Sequence, residues 1–177
     1  MNRSDVLPEE RFVLLHPAVP EEAPALAALH AAVAEDLTRQ YGKGHWSSAP
    51  TEKAVLRGMR TSKVFVARDG SGVIATLHLA TKKPWAIDRS YFRECRRPLY
   101  LTDMAVAPEL QHRGIGRRCM EEVKRIGGEW PADAIRLDAY DADAGAGGFY
   151  RKCGFEEVGR VIYRKTPLIY FEMLLGI

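Results

Sequence analysis

The spacing of apolar positions changes character several times along the chain, and each change marks an element. Phe12-Val-Leu-Leu-His16 is a short apolar run of strand type. From Pro20 onward the apolar positions Leu26, Leu29, Val33 and Leu37 recur at helical spacing. Pro20, Glu21 and Glu22 stand where a proline and acids favour a helix start, and the pattern fails at Tyr41-Gly-Lys-Gly44. Ser48 or Thr51 can cap a second, shorter helix running through Met59. Two apolar runs, Lys63 to Arg68 and Val73 to Ala80, flank Asp69-Gly-Ser-Gly72, which predicts a hairpin. A basic, aromatic-bearing connection, Lys82 to Arg97, leads to a strand over Leu99 to Val106 that Pro108 ends. Helical spacing returns with Met120, Val123 and Ile126. Next come a strand at Ile135 to Tyr140, a last helix beginning near Phe149-Tyr150, and strands Val158 to Lys165 and Leu168 to Leu175 around Thr166-Pro167. The order predicts an α+β fold with a mixed sheet of about seven strands and helices packed on its faces.

Composition narrows the class without changing that picture. The 177 residues are expected to form one domain spanning 1–177, with residues 1–10 a flexible N-terminal segment. Hydrophobic content of 46% and charged content of 28% exclude disordered, collagen-like and coiled-coil chains. No stretch approaches the roughly 18 apolar residues of a membrane span, and the start lacks the apolar core of a signal peptide. Cys95, Cys119 and Cys153 are odd in number and lack metal-ligand spacing, as expected of reduced thiols in a cytoplasmic protein that holds no metal. The net charge of +3 combines 18 arginines with 8 lysines, concentrated at Arg89 to Arg97 and Arg113 to Arg125. That surplus is small for a nucleic-acid binder and suits a small polyanion.

Candidate chemistry centres on Leu101-Thr-Asp-Met-Ala-Val-Ala-Pro-Glu-Leu-Gln-His-Arg-Gly-Ile-Gly116. A strand here delivers the chain to a helix N-terminus through a glycine-bearing loop, whose N–H groups and helix dipole make an anion site. Arg113 and Arg117, four residues apart, can flank the same anion. Neither a dinucleotide fingerprint nor a P-loop is present, because Cys119 takes the third glycine's place and no Gly-Lys-Ser/Thr follows.

The arrangement of a strand, Val106-x-Pro108, then Gln111-x-x-Gly114-x-Gly116 and a helix resembles the acyl-CoA signature of the GCN5-related N-acetyltransferase superfamily. Phe149-Tyr-Arg-Lys-Cys-Gly-Phe155 is similar to that family's second signature. The resemblance covers roughly Phe12 to Leu175. It implies a mostly antiparallel sheet splayed at a β-bulge, helices on both faces, and acetyl-CoA as co-substrate. It further implies pantetheine pairing with backbone at Met104, Ala105 and Val106, and pyrophosphate contacts at Gln111, His112, Arg113, Gly114, Ile115 and Gly116, extending to Arg117. Asp143 occupies the place, seven residues before Tyr150, where the family often has asparagine. Tyr150 matches the family's usual general acid.

Acyl transfer to an amine needs a neutral nucleophile, yet an alkyl amine of pKa about 10.4 is almost wholly protonated near neutral pH. Asp103, His78 and water are the candidates for the base. Strand alternation places Asp103 on the face of Leu101, and Thr102 with Met104 on the other. Tyr41, His45, Trp46 and Trp85 lie in the segments that set acceptor choice in the superfamily, and Tyr41, Trp46 and Trp85 could form an aromatic wall that attracts an ammonium group. The expected reaction is acetyl transfer from acetyl-CoA to a small amine or amino acid in a ternary complex. A protein or aminoacyl-tRNA amine, and a non-catalytic acyl-CoA sensor, are the alternatives. The expected protein is a monomer or homodimer with no membrane partner, and a nucleic acid enters only through the aminoacyl-tRNA alternative.

Overall fold

The computed structural model describes residues 13–176, so the proposed N-terminal segment and Phe12 lie outside it. Among the described residues a seven-stranded sheet runs in the order β1-β2-β3-β4-β5-β7-β6. The strands are β1 (His16–Pro17), β2 (Lys63–Asp69), β3 (Gly72–Ala80), β4 (Pro98–Val106), β5 (Ala134–Tyr140), β6 (Glu156–Tyr163) and β7 (Thr166–Leu174). The helices are α1 (Ala23–Tyr41), α2 (Glu52–Thr61), α3 (Ile115–Glu129) and α4 (Gly147–Lys152). Every strand pairing is antiparallel except β4 with β5.

The first predicted strand, Phe12 to His16, is displaced, since β1 covers only His16 and Pro17 and shares one residue with it. Val13 and Leu15 instead bury their side chains in the main core, and the Leu15 N–H bonds to the Glu122 carboxylate on α3. Pro20–Glu22 forms a single 3₁₀ turn before α1. Thr51 is the residue that caps α2, its hydroxyl accepting from the Ala54 N–H at 3.2 Å. The last turn also moves. Arg164 and Lys165 both hold positive φ, as a two-residue hairpin of primed type requires, while Thr166 and Pro167 pair within β7.

The two sheet faces carry separate cores. Ala75, Leu77, Leu79, Leu101, Ile135 and Leu137 face α3, whose Cys119, Met120, Val123 and Ile126 are buried against them. On the other face Val64 and Val66 meet Leu26 of α1 and Val55 of α2. Farther along that face Tyr100 and Tyr170 are covered by Ile87 and Phe92 from the connection between β3 and β4. Arg136 of β5 ties this connection down, because its guanidinium donates to Glu172 at 2.8 Å and to the Arg93 carbonyl. Glu172 in turn accepts from the Arg93 N–H.

Two departures from sheet regularity create the site. Thr76 opposes Ala105 but His78 opposes Thr102, so Leu77 faces both Asp103 and Met104 and β4 bulges there. On its other side β4 pairs with β5 only through Pro98, Leu99 and Tyr100. Beyond Tyr100 the two parallel strands part.

Candidate active site

The parting of β4 and β5 leaves backbone groups of β4 from Leu101 onward without β5 partners, in a gap between two central strands. Met104 and Val106 are half-buried at its edge, and Ala105 is buried against Leu29. The Gln111 amide donates to the Val106 carbonyl at 3.1 Å, so this side chain braces the strand end.

The chain then passes through His112 at φ +59 and Gly114 at φ +81 to enter α3. Gly114 is the N-cap and provides no side chain to cap the helix. The first backbone bond of the helix runs from Arg118 N to Gly114 O, leaving the N–H groups of Ile115, Gly116 and Arg117 without partners within the helix. The Ile115 side chain is buried, while His112, Arg113 and Arg117 are exposed around this positive helix end. The two glycines serve different ends. Gly114 meets the demand for positive φ, whereas a Cβ on Gly116 would stand 3.0 Å from the Phe149 ring. Close packing of α3 on α4 at the Phe149 ring leaves little room for a side chain at residue 116.

Tyr150 lies within α4, among Phe149, Phe155 and Phe171, and is 7% exposed. Its hydroxyl reaches Met104 Sδ at 3.8 Å, which brings it to the floor of the gap. Burial pushes its pKa well above that of an ordinary tyrosine, with a smaller contribution from Asp138. It therefore stays protonated and remains a donor across the neutral range. Two thiols share this core: Cys119 is buried with its pKa pushed up to about 12, and burial raises that of Cys153 as well, so both stay protonated.

Above the gap, on the face of α1 and α2, several titratable groups converge. Asp103 holds φ +50, and that turn overrides strand alternation. Its carboxylate swings away from the face of Leu101 to meet His78 Nδ1 at 3.4 Å, while Met104 takes the place against the α3-side core. The alternation expected for these two residues is thus reversed by the bulge. Burial lowers the pKa of His78 and of His30 on α1, and the Asp103 charge opposes both shifts. Across the gap, Arg136, Asp138 and Tyr140 of β5 alternate with core residues and share one face. Burial raises the Asp138 pKa, and Asp103 adds to the rise.

Tyr140 anchors the loop between α1 and α2. His45 stacks on its ring, Trp46 meets it edge-on, and the Tyr140 hydroxyl donates to the His45 carbonyl at 3.3 Å. The Trp46 indole donates back to the Gly42 carbonyl. Tyr41 is exposed at the end of α1. Trp85, 85% exposed, instead lines a separate cavity of about 420 Å³ with Tyr91, Ile162 and Tyr170. Asp143 is exposed in the loop after β5. Sequence reading passed over His30, Asp138 and Tyr140. The available signals are an acid two residues after Arg136 in a mostly apolar strand and a histidine four residues after Leu26, on the buried stripe of α1.

A central sheet bulged in one strand, splayed beside it, and faced by an uncapped helix N-terminus is the architecture of the acyl-CoA N-acyltransferases. The acetyltransferase (GNAT) domain family matches residues 60–157, and the chain belongs to that family. Glucosamine 6-phosphate N-acetyltransferase 1 of Dictyostelium discoideum is 30% identical over 83 residues, 46% of this chain and 51% of that protein. The chain thus matches about half the length of this relative. Among solved structures, ribosomal-protein-alanine N-acetyltransferase from Brucella melitensis superposes with a TM-score of 0.68 at 18% identity, covering 92% of this chain and 99% of that one. The yncA protein of Salmonella typhimurium, determined with its cofactor acetyl-CoA, gives 0.65 at 12% identity over 93% of this chain and 95% of that one. At such identities these two likenesses speak for the fold alone. Among the described residues no helix is long and apolar enough to cross a membrane, and no cluster of metal-ligating side chains occurs.

Proposed function

We propose that the protein transfers an acetyl group from acetyl-CoA to a primary amine by direct attack in a ternary complex. The observation that carries this reading is the Tyr150 hydroxyl at the floor of the β4–β5 gap, beside the bulge at Met104, whose side chain also lies close to Gly116 at the start of α3. Pantetheine amides find partners on the edge of β4 that β5 leaves uncovered, from Met104 to Val106, where the Val106 carbonyl already accepts from Gln111. Pyrophosphate meets the N–H groups of Gly114 to Arg117, with Arg113 and Arg117 beside it. Tyr150 donates its proton to the departing thiolate. Asp103, with its side chain 62% exposed over the gap, takes the proton from the amine.

Asp138 supports a second reading of the base. Its carboxyl pKa is raised by burial toward the range useful for catalysis, and its charge is felt by Tyr150. Asp103→Asn and Asp138→Asn separate the two readings, since only the base variant should lower kcat by about 100-fold or more.

The acceptor in this reading is a small amine or amino acid, entering past Tyr140, His45 and Trp46. Glucosamine 6-phosphate heads the panel because of the named relative, and a peptide with N-terminal alanine represents protein acceptors. Acetyl-CoA thiol release is then measured against amines, amino acids, aminosugar phosphates and peptides. Release that depends on one acceptor class supports the reading. Tight acetyl-CoA binding with no acceptor-dependent release across the panel would favour an acyl-CoA sensor.

A further inference from the structure

Asp103 is an L residue at positive φ inside the nine-residue strand β4, a conformation that costs energy and clusters at functional sites. The consequence of that conformation is local and specific. It removes the carboxylate from the α3 face and sets it against His78 of β3, with Nδ1 and Oδ2 3.4 Å apart. The imidazole is itself closely held. Its side chain is 12% exposed, Gly58 of α2 lies so close that a Cβ there would be in ordinary contact with Cε1 at 3.4 Å, and Ser62 Oγ lies 3.2 Å from the same Nδ1.

These contacts fix the tautomer. An ionised carboxylate can only accept, so its charge 3.4 Å away favours a proton on the nitrogen facing it. The Ser62 hydroxyl has the Gly58 carbonyl to donate to at 3.0 Å, which leaves its lone pairs for the imidazole N–H. His78 therefore presents Nδ1–H to the Ser62 hydroxyl, with the Asp103 carboxylate in electrostatic contact 3.4 Å away. We propose that His78 is a positioning residue whose Nδ1–H holds the Asp103 carboxylate over the gap, within reach of the acceptor amine. The proposal rests on the reading of Asp103 as the base.

The neighbours of this pair agree with that role. His30 approaches from α1, Ser62 from α2, Thr102 lies opposite His78 on β4, and Asp138 adds negative charge from β5. Burial keeps His78 neutral at physiological pH, so it holds the carboxylate without competing for the amine's proton. In the step itself the ammonium N–H bond breaks, the proton bonds to an Asp103 oxygen, and the electron pair stays on nitrogen for attack. The exposed carboxyl afterwards returns the proton to solvent.

The test uses acetyl-CoA thiol release with glucosamine 6-phosphate and an N-terminal alanine peptide as acceptor probes, beside NMR of the acceptor-free protein. Asparagine places an amide N–H near the Nδ1 position, glutamine nearer Nε2, and leucine neither. His78→Asn should keep kcat within about threefold of wild type, while His78→Gln and His78→Leu should lose about tenfold with the acetyl-CoA KM unchanged. Adding His78→Leu to Asp103→Asn should cost nothing further, because the two act as one unit. Long-range ¹H–¹⁵N correlation of the wild-type protein at pH 7.5 should show His78 protonated at Nδ1, a readout that does not depend on any variant folding. An Nε2–H tautomer, additive losses, or a fully active His78→Leu beside an impaired Asp103→Asn would overturn the positioning role alone. A fully active Asp103→Asn would instead remove the base assignment on which the role depends.

Discussion

The Tyr150 hydroxyl stands 3.8 Å from the Met104 sulfur, so α4 and the bulged strand meet at the floor of the gap through one polar atom and one thioether. A thioether is a weak acceptor, and the bond contributes little to stability. Tyr150→Phe should therefore melt within about 1 kcal/mol of wild type, its ring still packed among Phe149, Phe155 and Phe171. Turnover should fall roughly 100-fold, in kcat rather than in KM, at the lower end for a general acid because a thiolate is a fair leaving group. Stopped assays with a true acceptor check this. An unchanged kcat where chemistry limits the rate would return Tyr150 to a packing role.

The two loop glycines should respond differently to alanine. Gly114→Ala meets no neighbour but must hold positive φ, at a cost of roughly 1–2 kcal/mol, and calorimetry should show weaker acetyl-CoA binding. Gly116→Ala forces its methyl against Phe149 and should cost about 1–3 kcal/mol by urea unfolding. Combining Gly116→Ala with Phe149→Leu should recover part of that loss. A Gly116→Ala protein as stable as wild type would show that α3 and α4 are not closely packed there.

Stability should fall as the medium becomes mildly acidic. His30 and His78 have folded pKa values depressed by burial below the ordinary 6.5. Below 6.5 the unfolded chain binds protons that the folded chain does not, so unfolding free energy declines as pH falls toward the folded values. Each histidine contributes at most about 1.4 kcal/mol per pH unit in that window. Asp138, with a raised pKa, acts with the opposite sign and offsets part of the decline as it takes up its proton. Urea midpoints at pH 5.5, 6.5 and 7.5 should show the slope, and His30→Asn should flatten it. An unaltered slope in that variant would mean His30 is accessible to solvent.

The Arg136–Glu172 pair should behave as a buried ion pair, since each side chain is 3% exposed. Glu172→Ala leaves the guanidinium without its carboxylate and should cost about 3–5 kcal/mol. Replacing both, as Arg136→Met with Glu172→Leu, should cost much less by the same urea measurement. The single variant should also loosen residues 82–97, which hang on the Arg93 backbone bonds, and hydrogen exchange would show it. Equal losses in the single and double variants would contradict a coupled pair.

Much of this protein was determined by local pattern alone. The apolar periods of α1 and α3, the Asp69–Gly72 hairpin and the succession of helices and strands along the chain depend on neighbours in the chain, so they were legible without coordinates. The glycine loop entering α3 and the Phe149-Tyr150 segment were legible for the same reason, because a helix start and an aromatic pair are local features. Tertiary structure decided what spans distant segments. The place of the bulge follows from the register between β3 and β4, and it alone reverses the faces of Asp103 and Met104. Strand alternation cannot foresee a residue that leaves the β region. The gathering of His30, His78, Asp103 and Asp138, drawn from α1, β3, β4 and β5, is likewise a product of packing. So is the division of the expected aromatic wall, with Trp46 against Tyr140 and Trp85 in a cavity of its own. Side chains tens of residues apart share a site only once the sheet has set their distances, and no period along the chain encodes those.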